Sequence, residues 1–181
     1  MKRGLSIVVL AITAIAFWVT LDRGNPLPVF SPSDSEPTLT QNYLTQGILW
    51  RYDEQGVRRS TLWVERAVQF TDRPARFMTG LRFEGEDKDG RAWVMTAGAG
   101  RLHPIPEELH LSKDVIIREA FGNGVLETPR LRVKLKQQRA ENMAPVILTL
   151  KDSVTTATGL EVDLQSGTAK LKRNVETVYG S

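Results

Sequence analysis

The chain has no cysteine among its 181 residues. Disulfide bonds, thiolate metal sites, a cysteine nucleophile and a lipid-modified N-terminal cysteine are therefore excluded. Histidine is scarce as well, because His103 and His110 are the only two, and their settings predict exposed strand or loop positions. The G-x-S-x-G, H-E-x-x-H and P-loop patterns are absent. The sequence thus predicts no enzyme, and without a P-loop the chain is not expected to hydrolyse ATP.

Dense charge is also missing. The net charge is +3, and lysine and arginine are scattered rather than gathered in a basic block or helix, which argues against nucleic-acid binding. One acidic cluster, at Glu84, Glu86, Asp87 and Asp89, lacks the spacing of a calcium-binding loop. We interpret it as a solvated hairpin, and the sequence predicts neither a metal nor a cofactor.

The first 22 residues contain the one long apolar run. Leu5 to Leu21 is uncharged and would span about 25 Å as a helix. Lys2 and Arg3 precede it, which predicts a cytoplasmic N-terminus and an exported remainder. We therefore predict an uncleaved transmembrane anchor over 1–22. The alternatives are a signal peptide cleaved after Ala14-Ile15-Ala16 and a buried core helix. Cleavage at that position would leave an exposed apolar N-terminus.

The next segment, 23–40, reads as an extended linker. Pro26, Pro28, Pro32 and Pro37 lie there among serine, aspartate and threonine, a composition that favours an extended chain without packed structure. We expect the linker to lift a folded domain, over 41–181, away from the membrane surface.

Beyond residue 41 the hydrophobic pattern has a period of two and favours β-strands throughout. Asp53 to Gly56 and Glu86 to Gly90 are predicted turns, and Asn123-Gly124 fits a two-residue hairpin. A sheet without helices must fold over on itself to bury an apolar face. A sandwich, a jelly roll or a partly open barrel would meet that need. The alternating positions are Ile48, Trp50, Tyr52; Leu62, Val64, Arg66, Val68; Leu81, Phe83; Trp93, Met95, Ala97; Leu131, Val133, Leu135; and Leu160, Val162, Leu164.

A weak internal repeat is visible in three segments. Each has two apolar residues on one strand face, then a polar kink, and then a valine. The repeat predicts stacked hairpins of unequal loop length, although chance can produce so short a pattern in any all-β chain. The three copies are Leu109-x-Leu111-x-x-x-Val115, Leu148-x-Leu150-x-x-x-Val154 and Ala169-x-Leu171-x-x-x-Val175.

The order of these features resembles the LptC family. A short anchor, a proline-rich spacer and an all-β remainder follow one another as in that family. The stretches Trp93–Leu102 (WVMTAGAGRL), Leu109–Ile117 (LHLSKDVII), Gly124–Val133 (GVLETPRLRV) and Gly159–Tyr179 (GLEVDLQSGTAKLKRNVETVY) are similar to its strand motifs. Each motif is degenerate, so the resemblance rests on their order and spacing over nearly the whole chain.

The resemblance implies a twisted antiparallel β-jelly roll, open along one side, in the periplasm and tethered to the inner membrane by a single-pass helix. It also implies a lipid conduit. Such a protein receives lipopolysaccharide from the inner-membrane ABC transporter (LptB, LptF and LptG) and passes it to the periplasmic bridge protein LptA. An apolar slot would hold the acyl chains.

The resemblance also suggests site residues. Phe77, Met78, Ala169 and Tyr179 align with positions that line the lipid slot, and plain core packing or a strand-end aromatic is the alternative for each. The edge expected to bind LptA is the last strand, with Thr168, Lys170, Leu171, Val175 and Thr177. Two rival functions remain: a structural adaptor with a closed core that binds no lipid, and an anchored enzyme, for which we find no catalytic set.

Overall fold

The computed structural model describes residues 40–71, 73–86, 92–120, 124–137, 139–163 and 168–180. They form an all-β domain. The nine strands are β1 (Thr40–Tyr52), β2 (Arg58–Phe70), β3 (Arg76–Glu86), β4 (Ala92–Pro104), β5 (Glu107–Glu119), β6 (Val125–Lys134), β7 (Arg139–Leu150), β8 (Ser153–Asp163) and β9 (Thr168–Tyr179). The predicted all-β class is therefore confirmed.

All nine strands belong to one antiparallel sheet, in the order β1-β2-β3-β4-β5-β6-β7-β8-β9. Each strand thus pairs with the strands that precede and follow it in sequence, which makes the sheet a meander. A jelly roll instead joins distant strands through Greek-key connections, so that finer expectation is not confirmed. Short connections between successive strands explain the meander, because consecutive elements tend to lie side by side.

The first predicted turn is confirmed. The Asp53 carboxylate accepts hydrogen bonds from the amides of Gln55 (3.0 Å) and Val57 (2.8 Å), and Gly56 has a φ of 78°. The second predicted turn lies mostly outside the described residues. The connection between β5, which ends at Glu119, and β6, which begins at Val125, is longer than the predicted two-residue hairpin, and Asn123 itself lies outside the described residues.

One face of the sheet, here called the inner face, carries the hydrophobic core. Its largest fully buried side chains include Trp93 and Phe83, whose rings stack at 5.0 Å. Each such side chain contributes about 1.5–3 kcal/mol when withdrawn from water. The other members of the core cluster are Leu62, Val64, Leu81, Met95, Ala97, Leu109, Leu111, Val115, Ile117, Leu126, Leu131, Val133, Leu135, Ala140, Val146, Leu148, Leu160 and Val162.

A line of backbone irregularities crosses the sheet near the middle of the strands. Positive φ angles occur at Gln46, Gly80, Lys113, Asp114, Gly159 and Asn174. Register shifts interrupt the pairing of β4 with β5, β5 with β6, β6 with β7, β7 with β8 and β8 with β9 at the same level. Such bulges bend strands and increase their twist. The kinks divide the sheet into a proximal half, which holds Thr40, and a distal half.

The kinks change which residues face the core. Leu62 and Val64 are buried, but the next core-facing residue of β2 is Ala67, so the predicted alternation fails after Val64, and Arg66 faces outward. A displacement of one residue moves every later side chain to the other face. Two copies of the predicted repeat contain such a kink, at Lys113 and at Asn174. The third contains the turn between β7 and β8.

The predicted anchor and linker, 1–22 and 23–40, lie outside the described residues except for Thr40. Within the described ranges, the structure contains no helix that is long and apolar enough to cross a membrane. The division of the chain into anchor, linker and domain therefore stays a prediction.

Candidate functional site: the inner apolar row and the two sheet edges

Apolar residues form a row across the inner face of the proximal half, interrupted in β7 by the polar side chain of Asn142. Residues paired across neighbouring strands lie on the same face, so the row can be followed through the register from β1 to β6 and from β8 to β9. This inner apolar row consists of Leu44, Ala67, Met78, Gly100, Leu111, Leu131, Leu160 and Leu171.

Burial along the inner apolar row is uneven. At its centre, Leu111, Leu131 and Leu160 are at most 1% exposed. At its ends, Leu44 is 45% exposed, and Leu171 is only partly buried against the core. The row therefore opens to solvent beside both edge strands, where an apolar ligand could add to the core without displacing it.

Two of the predicted lipid-binding residues lie on this surface. Met78 is part of the row, and Ala169 occupies the next inner position beside Leu171. Both pack against the core and remain partly exposed. Tyr179 pairs with Ser153 at the distal end of β9 and is 66% exposed. It shares the inner face but lies in the other half of the sheet.

Phe77 points the other way, because it precedes Met78 in a strand whose side chains alternate. On the outer face its ring meets Phe70 edge-on at 5.8 Å, and the Arg101 guanidinium lies 4.8 Å from its centroid. The structure thus places the two consecutive residues on opposite faces of the sheet. A single ligand along the inner face can contact only Met78 directly.

Both edge strands have one unpaired side. β1 pairs with β2 alone and β9 with β8 alone, as far as the described residues extend. Unpaired strand edges offer backbone donors and acceptors to a further strand. Of the predicted edge residues in β9, Lys170 is exposed, Val175 is 50% exposed and Leu171 packs against the core. Thr177 is partly buried with its hydroxyl 2.9 Å from that of Thr155, and Thr168 begins the strand.

A buried hydrogen-bond network at the kink was not predicted from the sequence. The Asn142 amide group donates to the Thr128 hydroxyl (2.8 Å) and to the Arg130 carbonyl (3.1 Å). Its oxygen accepts from the Leu160 amide at 3.1 Å. Asn142 therefore satisfies backbone groups that the bulges in β6 and β7 leave without ladder partners. A lone asparagine in a strand gives little sequence signal of this role.

Gly159 was also given no role from the sequence. It lies in β8 with a φ of 95°, a conformation that side chains rarely adopt. A Cβ atom there would lie 3.3 Å from the Asn142 carbonyl oxygen and 3.3 Å from the Lys172 Cβ. A glycine inside an alternating strand is a recognised sign of a bulge or close approach, and that signal could have identified the bend.

The two histidines form a cluster with Glu108 on the proximal outer face. Their rings lie 4.9 Å apart, and the Glu108 carboxylate is 2.9 Å from His110 Nε2. That hydrogen bond lowers the pKa of Glu108. Burial, followed by repulsion from His110 and Arg101, lowers the pKa of His103, although Glu108 opposes the shift. Both His103 and Glu108 therefore favour their unprotonated forms.

A cavity of about 570 Å³ lies at the kink between β5, β6 and β7. Arg130, Arg132 and Lys172 line it together with Glu141. Glu141 already pairs with Lys134 at 2.8 Å. Leu111, Leu131 and Met143 also line the cavity, but its three cations suit an acyl chain less well than the apolar surface near the edges, which remains the better candidate site.

Comparison with known proteins agrees with the sequence resemblance. The family model described as lipopolysaccharide-assembly, LptC-related, matches residues 6–180. No curated protein sequence matches the chain. One solved structure that it resembles is LptH of Pseudomonas aeruginosa, described as the LptA-homologous periplasmic component of the lipopolysaccharide transport device. Identity is 9%, coverage is 77% of this chain and 94% of that chain, and the TM-score is 0.30.

Proposed function

Because the chain belongs to the LptC-related family of lipopolysaccharide-assembly proteins, we propose that it is a non-enzymatic lipopolysaccharide bridge. Its role in lipopolysaccharide transport follows from the family. In our proposal, the chain receives the lipid from the inner-membrane ABC transporter of LptB, LptF and LptG and passes it to LptA. The single observation that carries this proposal is the inner apolar row, which is open at both sheet edges.

The chemistry of the row suits a transient lipid site. Each methylene group that leaves water gains about 0.8 kcal/mol, so several acyl chains in a closed pocket would bind too tightly for onward transfer. Met78, Ala169 and Leu171 are partly exposed. An acyl chain that lies against them would contact the protein on one side only. The sugars can stay in water while the acyl chains lie against these residues.

The free edges support the partner part of the proposal. A strand from another protein can add to β1 or β9 through backbone hydrogen bonds, as in other β-augmentation complexes. Because β1 and β9 are opposite edges of one sheet, the domain could join a transporter domain at one edge and LptA at the other. The predicted LptA edge is β9.

The proposed location is the periplasmic side of the inner membrane. The apolar run from Leu5 to Leu21 and the preceding Lys2 and Arg3 support an anchor with a cytoplasmic N-terminus. The polar, proline-rich segment that follows would connect the anchor to β1.

Site-specific photo-crosslinking in cells tests the lipid path. A photo-reactive amino acid at Met78 should yield lipopolysaccharide adducts, and the same group at Phe77, the neighbouring residue on the opposite face, is the matched control. Ala169 and Tyr179 extend the test to the last strand. Adducts at Phe77 but not Met78 would place the lipid on the outer face.

A specific observation favours one alternative, the structural adaptor. The centre of the core is completely buried, with Val115 and Leu160 at 0% exposure, as expected of a domain that holds partners together without a ligand. If no inner position forms adducts while the protein remains folded and bound to the transporter, the adaptor function is correct and the conduit is not.

A further inference from the structure

We infer that the proximal outer face docks on the surface of an anionic phospholipid bilayer. The inference rests on the proposed anchor, because the docking surface lies where the chain enters the domain. The surface, here called the arginine–aromatic patch, consists of Tyr43, Arg66, Phe70, Arg73, Phe77 and Arg101 on strands β1 to β4 and the β2–β3 connection.

Arginine side chains lie over aromatic rings throughout the patch. The Arg101 guanidinium is 4.8 Å from the Phe77 ring centroid, and that of Arg66 is 5.9 Å from Tyr43. Arg73 lies 6.0 Å from Phe70. The rings hold these cations at the outer surface, where Arg66, Arg73 and Arg101 are all exposed.

Among the described residues, the acid nearest to Arg101 in the register is engaged elsewhere, because Glu108 bonds His110 at 2.9 Å. Glu65, which precedes Arg66, is directed toward Gly80, where its Oε2 lies 2.6 Å from the position of a Cβ. No ion pair joins Arg66 or Arg101 to a described carboxylate, and each lies over a ring face, so both remain available to anionic phosphate groups.

The position of the patch favours a membrane as its occupant. Phe70 pairs directly with Thr40, the first residue of β1, so the patch borders the chain entry. A linker of the predicted length has an end-to-end distance of about 25 Å as a flexible coil and about 55 Å when extended as polyproline. The anchor would thus hold the patch within reach of the bilayer surface.

The chemistry favours the same occupant. Tyrosine and arginine settle at the membrane–water interface, because they combine apolar bodies with polar or charged ends, and the two phenylalanine rings add apolar surface beside them. A β-strand partner would instead add to the edges of β1 and β9 and would not need this face. The patch and the strand edges can therefore serve different partners.

Single-cysteine labelling tests the inference on the full chain, which has no native cysteine. Thr79, exposed on the proximal outer face, is changed to cysteine and labelled with a fluorophore. Thr156, exposed on the distal outer face, is the matched control (T156C). The chain is reconstituted in phosphatidylcholine vesicles with or without phosphatidylglycerol, and quenching by a nitroxide-headgroup lipid is measured.

We expect strong quenching at position 79 in the anionic vesicles alone, and weak quenching at position 156 in both. Removing Arg66 and Arg101 (R66Q/R101Q) should weaken docking about five-fold for each charge, whereas R118Q, on the distal outer face, should not. High salt should release the unmodified patch, because it screens exposed charges. This salt test stays valid even if the double variant folds poorly.

Equal quenching at 79 with and without anionic lipid, or equal quenching at 79 and 156, would overturn the inference. Flotation of the vesicles separates this result from failure of the anchor. If the chain floats with the vesicles but position 79 is not quenched, the anchor stands and the docking fails. If the chain does not float, the proposed anchor itself is wrong.

Discussion

At the scale of single residues, His103 makes the stability of the domain depend on pH. Its pKa is held below the ordinary 6.5 by burial and then by the charges of His110 and Arg101. The unfolded chain therefore binds a proton more readily than the folded chain. The domain therefore keeps its full stability above the ordinary pKa of His103 and loses part of it as the pH falls below that value.

We predict that His103→Gln reduces this loss of stability. Chemical denaturation at about pH 7.5 and pH 5 should show a smaller decrease for H103Q than for the parent chain. Glu108 does not complicate the comparison between the two pH values. Its lowered pKa affects stability only below its ordinary pKa of 4.5. An identical decrease in both proteins would mean that His103 titrates in the same way folded and unfolded.

Asn142 is a buried polar side chain whose loss should destabilise the domain. Asn142→Ala would leave the Leu160 amide without its buried partner, whereas the Thr128 hydroxyl keeps its hydrogen bond to the Pro145 carbonyl. An unsatisfied buried group costs about 1–3 kcal/mol, so we expect a loss of about 2 kcal/mol in urea unfolding. The neighbouring Met143, 59% exposed, provides the control, because M143A should change stability by less than about 0.5 kcal/mol.

At the scale of elements, the strands could be predicted and so could the kinks at Lys113 and Asn174, which fall in the predicted repeat, but the kink in β2 could not. Alternation identified Trp93, Met95 and Ala97 as one face, and all three are buried. It failed between Val64 and Ala67, because the bend there lies opposite Gly80 on the neighbouring strand. A bulge in one strand depends on its partner, and a single-strand pattern does not contain that information.

Substitution of Gly159, at the bend in β8, directly tests the line of backbone kinks that crosses the sheet. We predict that Gly159→Ala costs about 1–3 kcal/mol, because alanine is strained at a φ of 95°. Its Cβ would also crowd Asn142 and Lys172 at 3.3 Å. Gly56 is the control, since its φ is also positive but a Cβ would meet nothing within 4 Å.

Thermal unfolding of the two alanine variants distinguishes strain from crowding. G56A carries the strain alone, so G159A should lower the unfolding temperature more than G56A. Equal decreases would show that the neighbours of Gly159 move aside and that only the backbone conformation matters.

At the scale of the whole molecule, the sequence predicted the class of the fold but not its connectivity. Period-two segments are equally compatible with a jelly roll and with a meander, because the pattern records which face is buried and not which strand is adjacent. The same ambiguity affected the site. Met78 and Ala169 share the inner face, but Phe77 was grouped with Met78 because its face could not be assigned without the register.

The two free edges determine how the molecule would assemble with others, and β9 offers a test that leaves the core intact. Deleting the whole strand would uncover Leu160 and Val162, which β9 pairs with and which are fully buried. Loss of LptA binding after that deletion could therefore reflect unfolding. A single charge at an exposed position of the strand avoids this problem, because lysine on an edge strand discourages pairing with another chain.

We therefore predict that Val175→Lys reduces LptA binding in pull-down and leaves the unfolding temperature nearly unchanged, because Val175 is 50% exposed. Leu171→Lys is the contrasting variant. It should lower the unfolding temperature, because Leu171 packs against the core. Transporter association should persist in V175K if the transporter binds elsewhere. Undiminished LptA binding by a folded V175K chain would point to β1, the other free edge, as the place where LptA adds its strand.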